Sequence, residues 1–250
     1  MPAPLKPLKW YRELEERKGR LEAGAFLVEG DKAIRQVIAG QPDAIIEILT
    51  VEEPPSLFRD YPIRRVTVSQ FRYISTTRTP QGILAVVCIP ADIYSTHLPL
   101  DIGNRVLLLE DIQDPGNAGT LIRTAAAFGF SGVILTENGT DPLSPKCVQA
   151  MAGSVFSLWV RRANNYLELT QELKNKNYTL VAADLAGTTG SEVLHGQEKL
   201  LLALGNEASG LSKALVDMAD YRLQIPLDRE KAESLNVASC GAILMFLSTR

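Results

Sequence analysis

The amino-acid sequence predicts an α/β protein in two parts: a small α/β unit, followed by a larger α/β unit built on a mostly parallel sheet. The chain has 250 residues with 46% hydrophobic content, which is enough to bury a full core. Its apolar runs are short in the first 90 residues and become longer and continuous from Arg105 onward. Strands that are apolar throughout are typical of a parallel sheet covered by helices on both faces.

The first part contains alternating helix-like and strand-like segments. Helical spacing is present over residues 9–22 and in "DKAIRQVIAG". The strand-like segments are "AFLVEG", "AIIEILTV", "IRRVTV" and "GILAVVCI". The stretch 90–104 that follows is rich in turn formers and has no sustained apolar period. We therefore predict a small α/β domain over residues 1–95, a linker over 96–104 and a second domain over 105–250.

The second part contains six apolar runs that predict strands. They read "VLLLED", "GVILT", "VFSLWV", "TLVAAD", "LLLALG" and "YRLQIP". Ligands of parallel sheets bind beyond the carboxyl ends of the strands. The loops after "VLLLED", "LLLALG" and "YRLQIP" are therefore the places where we expect the chemistry.

The charge balance gives no sign of a nucleic-acid partner by itself. The net charge of −3 gives no global field for a nucleic acid, so an RNA-binding protein of this composition must concentrate its cations locally. The candidates for such a cluster, or for an ordinary solvated surface, are Arg59, Arg64, Arg65, Arg72 and Arg78.

The cysteines and the N-terminus bear on location. Cys88, Cys147 and Cys240 are widely spaced, which indicates neither a disulfide framework nor a metal site. The N-terminus lacks the apolar core of a signal peptide, and no stretch approaches the roughly 18 apolar residues that span a bilayer. We expect a cytoplasmic protein without a membrane partner.

The first loop reads "EDIQDPGNAGTLIRTAAAFGF". Pro115 and Gly116 predict a turn, and Asn117 is a favourable helix N-cap. In the following helix Arg123 is the sole charge on a face of small residues, so it needs an anionic or polar partner. Two readings stay open: a ligand held by Arg123, or a structural ion pair. The acids available for such a pair are Glu110, Asp111 and Asp114.

Dinucleotide binding is an alternative reading of this loop. The order strand, glycine-containing turn, helix fits it, and Glu137 lies about 20 residues further on, where a ribose-binding acid is expected. The glycines have the spacing G-x-x-G at Gly116 and Gly119 rather than G-x-G-x-x-G, so close approach of a pyrophosphate is not provided. This reading would make the protein a nicotinamide-dependent oxidoreductase.

The second loop follows "LLLALG", where a buried strand ends at Gly205-Asn206-Glu207 and Ser212 is placed to cap a short helix. Glu207 is either a functional carboxylate at the end of a strand or an acid that only stabilises the turn.

The third loop begins after Ile225-Pro226 with a charged stretch at 227–233, and a helix is expected from about Ser234. No charged residue occurs from Ser234 to Thr249. An uncharged terminal helix has to be covered, either by its own domain or by a second subunit, and we favour a homodimer interface.

Taken in order, "NAGTLIR", "GNEASGL" and "IP…SLNVAS" resemble the three signature motifs of the SpoU/TrmH family, in the SPOUT superfamily of S-adenosylmethionine-dependent RNA ribose 2′-O-methyltransferases. The resemblance covers about residues 104–250. Residues 1–95, with "FLVEG" and "RTPQGILAVV", are similar to the ribosomal-protein-like substrate-binding domain that often precedes this catalytic domain.

The resemblance implies a fold, a donor and a set of site residues. It implies a homodimer whose catalytic domain contains a deep trefoil knot around Ile225 to Asn236, with S-adenosylmethionine bound there. The positions that match the family's active site are Asn117, Arg123, Glu207, Ser234 and Asn236. Those that match its donor pocket are Gly205, Ile225 and Leu235.

The third motif departs from the family's pattern. The family's third motif commonly has a glycine two residues after Ile-Pro-Met and one residue fewer before Ser-Leu-Asn, whereas this chain reads "IPLDREKAESLN". Ala238 stands where the family usually has a serine. This puts the details of the donor pocket in question more than the reaction.

Several functional readings follow. We expect the protein to methylate the ribose 2′-oxygen of structured RNA, at a guanosine in ribosomal RNA, and tRNA is the alternative substrate. We expect no DNA substrate, because a 2′-hydroxyl distinguishes RNA from DNA. A non-catalytic RNA-binding module would not need all five site residues. Arg123 is expected to bind the substrate and stabilise the alkoxide, since a guanidinium is a poor base.

Overall fold

The computed structural model describes residues 6–228 and 230–249. They form two compact units. Of the described residues, the first unit comprises those up to Ala91 together with Leu143–Phe156, and the second comprises Asp92–Pro142 and those from Ser157 onward.

The helices, in chain order, are α1 (Leu8–Glu13), α2 (Arg17–Ala23), α3 (Asp31–Gly40), α4 (Val68–Ile74), α5 (Pro115–Ala127), α6 (Pro145–Met151), α7 (Tyr166–Asn175), α8 (Lys213–Met218) and α9 (Val237–Leu247). The strands are β1 (Ala25–Glu29), β2 (Ile45–Thr50), β3 (Ile63–Arg65), β4 (Ile83–Cys88), β5 (Arg105–Leu109), β6 (Gly132–Thr136), β7 (Trp159–Ala163), β8 (Thr179–Ala183), β9 (Leu200–Leu204) and β10 (Tyr221–Leu223). None of these described helices is long and apolar enough to cross a membrane.

The first unit is built on a four-stranded sheet in the order β1-β4-β2-β3. Strand β4 runs antiparallel to β1 and β2, and β3 is parallel to β2. All four strands predicted for this part are confirmed. Strand β3 is shorter than "IRRVTV", because Thr67 accepts a hydrogen bond from the backbone N–H of Gln70 and so begins α4 with a capping box.

The single helix predicted over residues 9–22 is wrong, since α1 and α2 are separate. The guanidinium of Arg20 is buried and donates hydrogen bonds to the carbonyls of Leu14 (3.1 Å) and Glu15 (2.6 Å), so it replaces the helical bonds lost at the break. A Cβ added at Gly19 would overlap the carbonyl oxygen of Glu13. The break therefore depends on tertiary contacts that helical periodicity does not record.

The second unit is built on a six-stranded sheet in the order β10-β8-β9-β5-β6-β7. Every pairing in it is parallel, as predicted. The strands β6 and β9 are buried along their whole length. The predicted strand "VFSLWV" starts too early, because Val155 and Phe156 are part of the first unit and β7 begins only at Trp159.

Residues 92–104, part of the predicted linker region, pack within the second unit. Ile93 is buried and its carbonyl accepts a hydrogen bond of 2.7 Å from the backbone N–H of Arg162. The indole N–H of Trp159 donates to the carbonyl of Ile102 at 2.9 Å. This stretch is therefore hydrogen-bonded to β7, the last strand of the second unit's sheet.

Candidate active site

The loops after β5 and β9 lie side by side because these strands are neighbours, with Leu109 opposite Leu204. The side-chain amide of Asn206 donates a 2.8 Å hydrogen bond to the carbonyl of Asp111. Asp111 has a positive φ of 55° and is held by Thr136, whose hydroxyl donates to its carboxylate at 2.5 Å. The two loops are therefore joined directly at the carboxyl edge of the sheet, where ligands of parallel sheets bind.

Helix α5 begins one turn earlier than the sequence suggested. Asp114 is the N-cap and accepts a 2.9 Å hydrogen bond from the backbone N–H of Asn117, while Pro115 occupies the first helical position. The prediction that Asn117 is the N-cap is wrong, because the carboxylate of Asp114 takes that place. The amide of Asn117 is left available for contacts outside the helix.

Asn117 joins the second and third loops. Its Nδ2 donates a 3.0 Å hydrogen bond to Oε1 of Glu207, and its Oδ1 accepts one of 3.1 Å from Nδ2 of Asn236. Oδ1 of Asn236 accepts in turn from the backbone N–H of Ala238 at 2.9 Å. These bonds all point the same way, from the start of α9 to the carboxylate, which fixes the orientation of both amides. We call Asn117, Glu207 and Asn236 the three-loop network.

Glu207 accepts further hydrogen bonds from the backbone N–H groups of Gln113 (3.2 Å) and Asp114 (3.3 Å). Burial raises the pKa of the Glu207 carboxyl, but the bonds from Asn117 and the backbone stabilise the charged form more strongly, and the pKa lies below its ordinary value. Glu207 is therefore a carboxylate that fixes the entry to α5, and it is a weak proton acceptor.

The lowered pKa gives a test of the network. Removing the amide by Asn117→Ala should raise the pKa of Glu207, since the charged form loses a donor. In the wild type the stabilisation from this carboxylate is present above the ordinary glutamate pKa and is lost as the pH falls through the lowered value. A ¹³C NMR titration of the carboxyl in both proteins measures the difference. Thr124→Ala, on the same helix, is the control, and an equal midpoint in Asn117→Ala would contradict the network.

Helix α9 begins at Val237 with Asn236 as its N-cap, which is later than the predicted start near Ser234. Gly241 packs against α5 and β9, where a Cβ would overlap the side chains of Leu121 and Leu204. This close approach holds the start of α9, and therefore Asn236, beside α5.

A cavity of about 580 Å³ lies beside the network, at the carboxyl ends of β8, β9 and β10. All three positions predicted for the donor pocket line it, as do the predicted site residues Glu207, Ser234 and Asn236. The lining includes Leu204, Gly205, Leu223, Ile225, Leu235 and Val237, with Asp184, Glu233 and Cys240. Burial raises the pKa of the Cys240 thiol to about 11, so this cysteine is protonated.

The structure does not bring Arg123 into the network. Arg123 is exposed and lies six residues after Asn117, about 9 Å further along the helix axis. Within residues 6–228 and 230–249 it forms no hydrogen bond or ion pair, so the structural pair with an acid of the first loop is absent there. Its three candidate partners are otherwise engaged. Glu110 binds the Tyr166 hydroxyl and the Ser212 N–H, Asp111 binds Thr136, and Asp114 caps α5.

Some contributing residues were missed by sequence reasoning. Gln113 donates from its side chain to the carbonyls of Asp111 and Asn138, and Asn206 accepts from the N–H groups of Ala208 and Ser209. The dipeptide Asp-Pro was the available signal for the cap, since proline is favoured at the first helical position. The roles of Gln113 and Asn206 had no comparable local signal.

The geometry of the first loop contradicts the alternative that it binds a dinucleotide. Gly116 and Gly119 lie inside α5 and form no glycine-rich turn. The N-terminus of α5, where a pyrophosphate would have to bind, is already occupied by the carboxylates of Asp114 and Glu207. A second anion at this place would be repelled.

The sequence profile of the SpoU rRNA Methylase family matches residues 104–246 of the chain. The chain belongs to this family. The profile of the MRM3-like substrate binding domain matches residues 6–85. The family and enzyme class that the three motifs indicated are thereby confirmed: the protein is an RNA methyltransferase of the SpoU type with an N-terminal substrate-binding domain.

Relatives cover the chain almost completely. The 23S rRNA (guanosine(2553)-2′-O)-methyltransferase RlmP of Bacillus subtilis is 32% identical over 96% of this chain and 94% of its own length. The SpoU methyltransferase AviRb from Streptomyces viridochromogenes, in complex with AdoMet, has a TM-score of 0.84 at 26% identity, covering 99% of this chain and 98% of that one. A putative RNA methyltransferase of the TrmH family from Porphyromonas gingivalis has a TM-score of 0.83 at 32% identity, covering 98% of both. The fold class predicted for this SpoU protein is confirmed.

Proposed function

We propose that this protein transfers a methyl group from S-adenosylmethionine to the ribose 2′-hydroxyl of a guanosine in ribosomal RNA. The observation that carries the proposal is the three-loop network at the rim of the cavity. It joins the three family motifs through hydrogen bonds of 3.0 and 3.1 Å. The names of the relatives, a 23S rRNA guanosine 2′-O-methyltransferase among them, support the substrate.

The cavity suits the methyl donor. Its volume of about 580 Å³ lies within the range of ligand pockets, about 300–1,000 Å³. Leucine and isoleucine side chains offer an apolar surface for an adenine, and Gly205 lies beside it. Glu233 at the wall suits a positively charged ligand, whereas Asp184 is paired with Arg222 at 2.7 Å. When bound, S-adenosylmethionine supplies an activated methyl group, so the protein has mainly to orient the acceptor.

The side chains divide this work. Asn117 and Asn236, held rigidly by Glu207 and the start of α9, orient the acceptor ribose by hydrogen bonding, and Ser234 at the cavity assists them. Glu207 positions the loop, because its lowered pKa makes it a weak base. Arg123, permanently charged and exposed, binds the RNA and stabilises the 2′-oxygen while the hydroxyl proton passes to bulk water.

A transfer assay tests the proposal. The full-length protein is incubated with tritiated S-adenosylmethionine and either unmodified ribosomal RNA or unmodified tRNA transcripts. We expect label in 23S rRNA at one guanosine, and none when that nucleotide carries a 2′-hydrogen. Label in tRNA alone would contradict the ribosomal substrate, and label in neither would contradict the proposed function. A fluorescence titration with nicotinamide dinucleotide should show no binding.

The acting form is a homodimer built through α9. This helix carries no charge, yet Ile243 and Phe246 on it are 39% and 41% exposed. The ring of Phe246 lies 5.9 Å from that of Phe128, so the apolar surface extends toward the end of α5. An apolar patch of this kind is characteristic of subunit interfaces.

The dimer gives a further prediction. Ile243→Glu with Phe246→Glu should convert a dimer into a monomer, because two charges would be buried in an apolar interface. Size-exclusion chromatography with light scattering measures the molar mass of the assembly. Lys213→Glu on the exposed face of α8 is the control and should leave the mass unchanged. A monomeric wild type would contradict this assembly.

The finer features of the fold and location belong to the same proposal. We assign catalysis to the sequence region 105–250 and substrate binding to 1–95, with 96–104 between them. Leu143–Phe156 packs with the first unit and Asp92 to Asn104 with the second. One observation supports a trefoil knot. In the 184–190 loop Thr189 exchanges backbone hydrogen bonds with Arg222 and Gln224 on the side of β10 away from β8, so β10 runs between β8 and the loop that follows β8. A cytoplasmic location agrees with a ribosomal RNA substrate.

A further inference from the structure

The arginines clustered in the first unit are not equivalent. Arg59 and Arg65 share the carboxylate of Glu53, at 3.8 and 3.1 Å. Arg64 donates to the hydroxyl of Tyr11 at 2.9 Å and lies over its ring. These three guanidinium groups are therefore neutralised or packed by their own unit.

Arg72 and Arg78 differ from the other three. Both are exposed, and in the described part of the chain neither forms a hydrogen bond or an ion pair. Both line a groove of about 940 Å³ in the first unit. Two unpaired cations on one groove indicate an anionic partner.

The acids of the groove are mostly compensated. Asp31 binds Arg35 at 2.7 Å, and Glu53 binds the two arginines named above. Glu52 is the one lining acid without a salt bridge among the described residues. The two free cations thus exceed the free carboxylates, which suits a chain of phosphates.

The walls of the groove also offer apolar surface. Val68 is 53% exposed, and Pro55 and Pro80 contribute rigid rings to the lining. Unpaired RNA presents base faces that a double helix hides, and proteins stack such bases on aromatic rings or on the guanidinium planes of arginines while cations contact the backbone. The mixture of surfaces fits unpaired RNA better than a duplex.

The loop that carries Arg78 is held in place by Glu29, at the end of β1. The carboxylate of Glu29 accepts hydrogen bonds from the hydroxyls of Ser75 (2.7 Å) and Thr77 (2.9 Å) and from the backbone N–H of Gln81 (3.0 Å). These three bonds bracket Arg78 in the sequence. A loop that is already fixed loses less conformational entropy when it binds a ligand, so Arg78 is preorganised for binding.

We infer that this groove binds unpaired nucleotides of the RNA substrate, with Arg72 and Arg78 on their phosphates and Glu29 as the positioning residue of the loop. The inference rests on the proposed function for the identity of the RNA. It goes further by selecting these two arginines out of the cluster of five and by naming the single-stranded class of the ligand.

The test uses the full-length protein and unmodified 23S rRNA transcribed in vitro. Arg72→Ala with Arg78→Ala should raise the KM for this RNA about tenfold or more and leave kcat nearly unchanged. In filter binding, the slope of log Kobs against log salt should become shallower by about 1.4, since each single-stranded phosphate contact contributes about 0.7. Lys9→Ala with Lys18→Ala removes the same charge from α1 and α2 and is the matched control.

Glu29→Gln tests the positioning role. The substitution replaces one carboxylate oxygen by an NH₂ group that cannot accept from Ser75, and it removes the negative charge that holds the other two donors. Hydrogen exchange in the 75–81 loop should therefore accelerate and the KM for RNA should rise, while S-adenosylmethionine binding stays the same. Exchange and KM equal to those of the wild type would overturn this role.

The outcomes separate the two proposals. Equal KM and equal salt slopes in the arginine variant and the lysine control, with an active wild type, would overturn the groove and leave the proposed function standing. A wild type without activity would overturn the function, and filter binding, which needs no turnover, would still decide the groove. Arg78→Gln replaces the double variant if the latter does not fold.

Discussion

Replacing Arg123 by alanine should lower kcat for methyl transfer to RNA by about 10²–10³, the effect of removing one stabilising donor from an active site. The side chain is exposed and forms no ion pair within the described residues, so nothing in its own subunit requires the charge. It is also the sole charge on α5. We therefore expect the melting temperature and the Kd for S-adenosylmethionine to change little.

Steady-state kinetics with the RNA substrate and calorimetry with the donor measure these two effects. Arg123→Lys separates the possible roles, because lysine keeps the charge but loses the planar fork of donors. Lys213→Ala removes an exposed cation from α8 of the same unit and should leave kcat unchanged. A fully active Arg123→Ala protein would eliminate Arg123 from the reaction.

The parallel sheet was the most predictable part of the protein. The run "GVILT" became β6 at the same residues, since a strand buried on both faces has to be apolar at every position. The run "VFSLWV" failed because its first residues are apolar for another reason, being buried in the first unit. An apolar segment is predicted to be buried, but its hydrophobicity does not indicate in which of the two cores it is buried.

The site was predictable by residue type and only partly by position. Asn117, Glu207 and Asn236 were all selected, yet the cap at α5 was assigned to Asn117 instead of Asp114, because both residue types are good N-caps. The same ambiguity displaced the start of α9 from Asn236 to Ser234. The bond from Asn117 to Glu207 spans 90 residues, and only the adjacency of β5 and β9 brings them together.

Gly205 is the position in the proposed donor pocket where the smallest change should have the largest effect on S-adenosylmethionine binding. A Cβ there would overlap the backbone of Gly210 and Leu211, which no side-chain rotation can relieve. The turn cannot move freely, because Asn206 and Gly210 exchange backbone hydrogen bonds of 3.0 and 2.9 Å. Overpacking of this kind costs about 1–3 kcal/mol.

The strain of Gly205→Ala falls on residues that line the cavity, so the Kd for S-adenosylmethionine should rise by about 10- to 100-fold, at about 1.4 kcal/mol for each factor of ten. Calorimetry measures the Kd, and circular dichroism verifies the fold. Gly196→Ala is the matched control: its φ of 70° strains any added side chain, but no atom lies within 4 Å of the new Cβ. It should lower stability slightly and leave the Kd unchanged. Wild-type affinity in Gly205→Ala would mean that the donor does not depend on this turn, and the assignment of the cavity would fail with it.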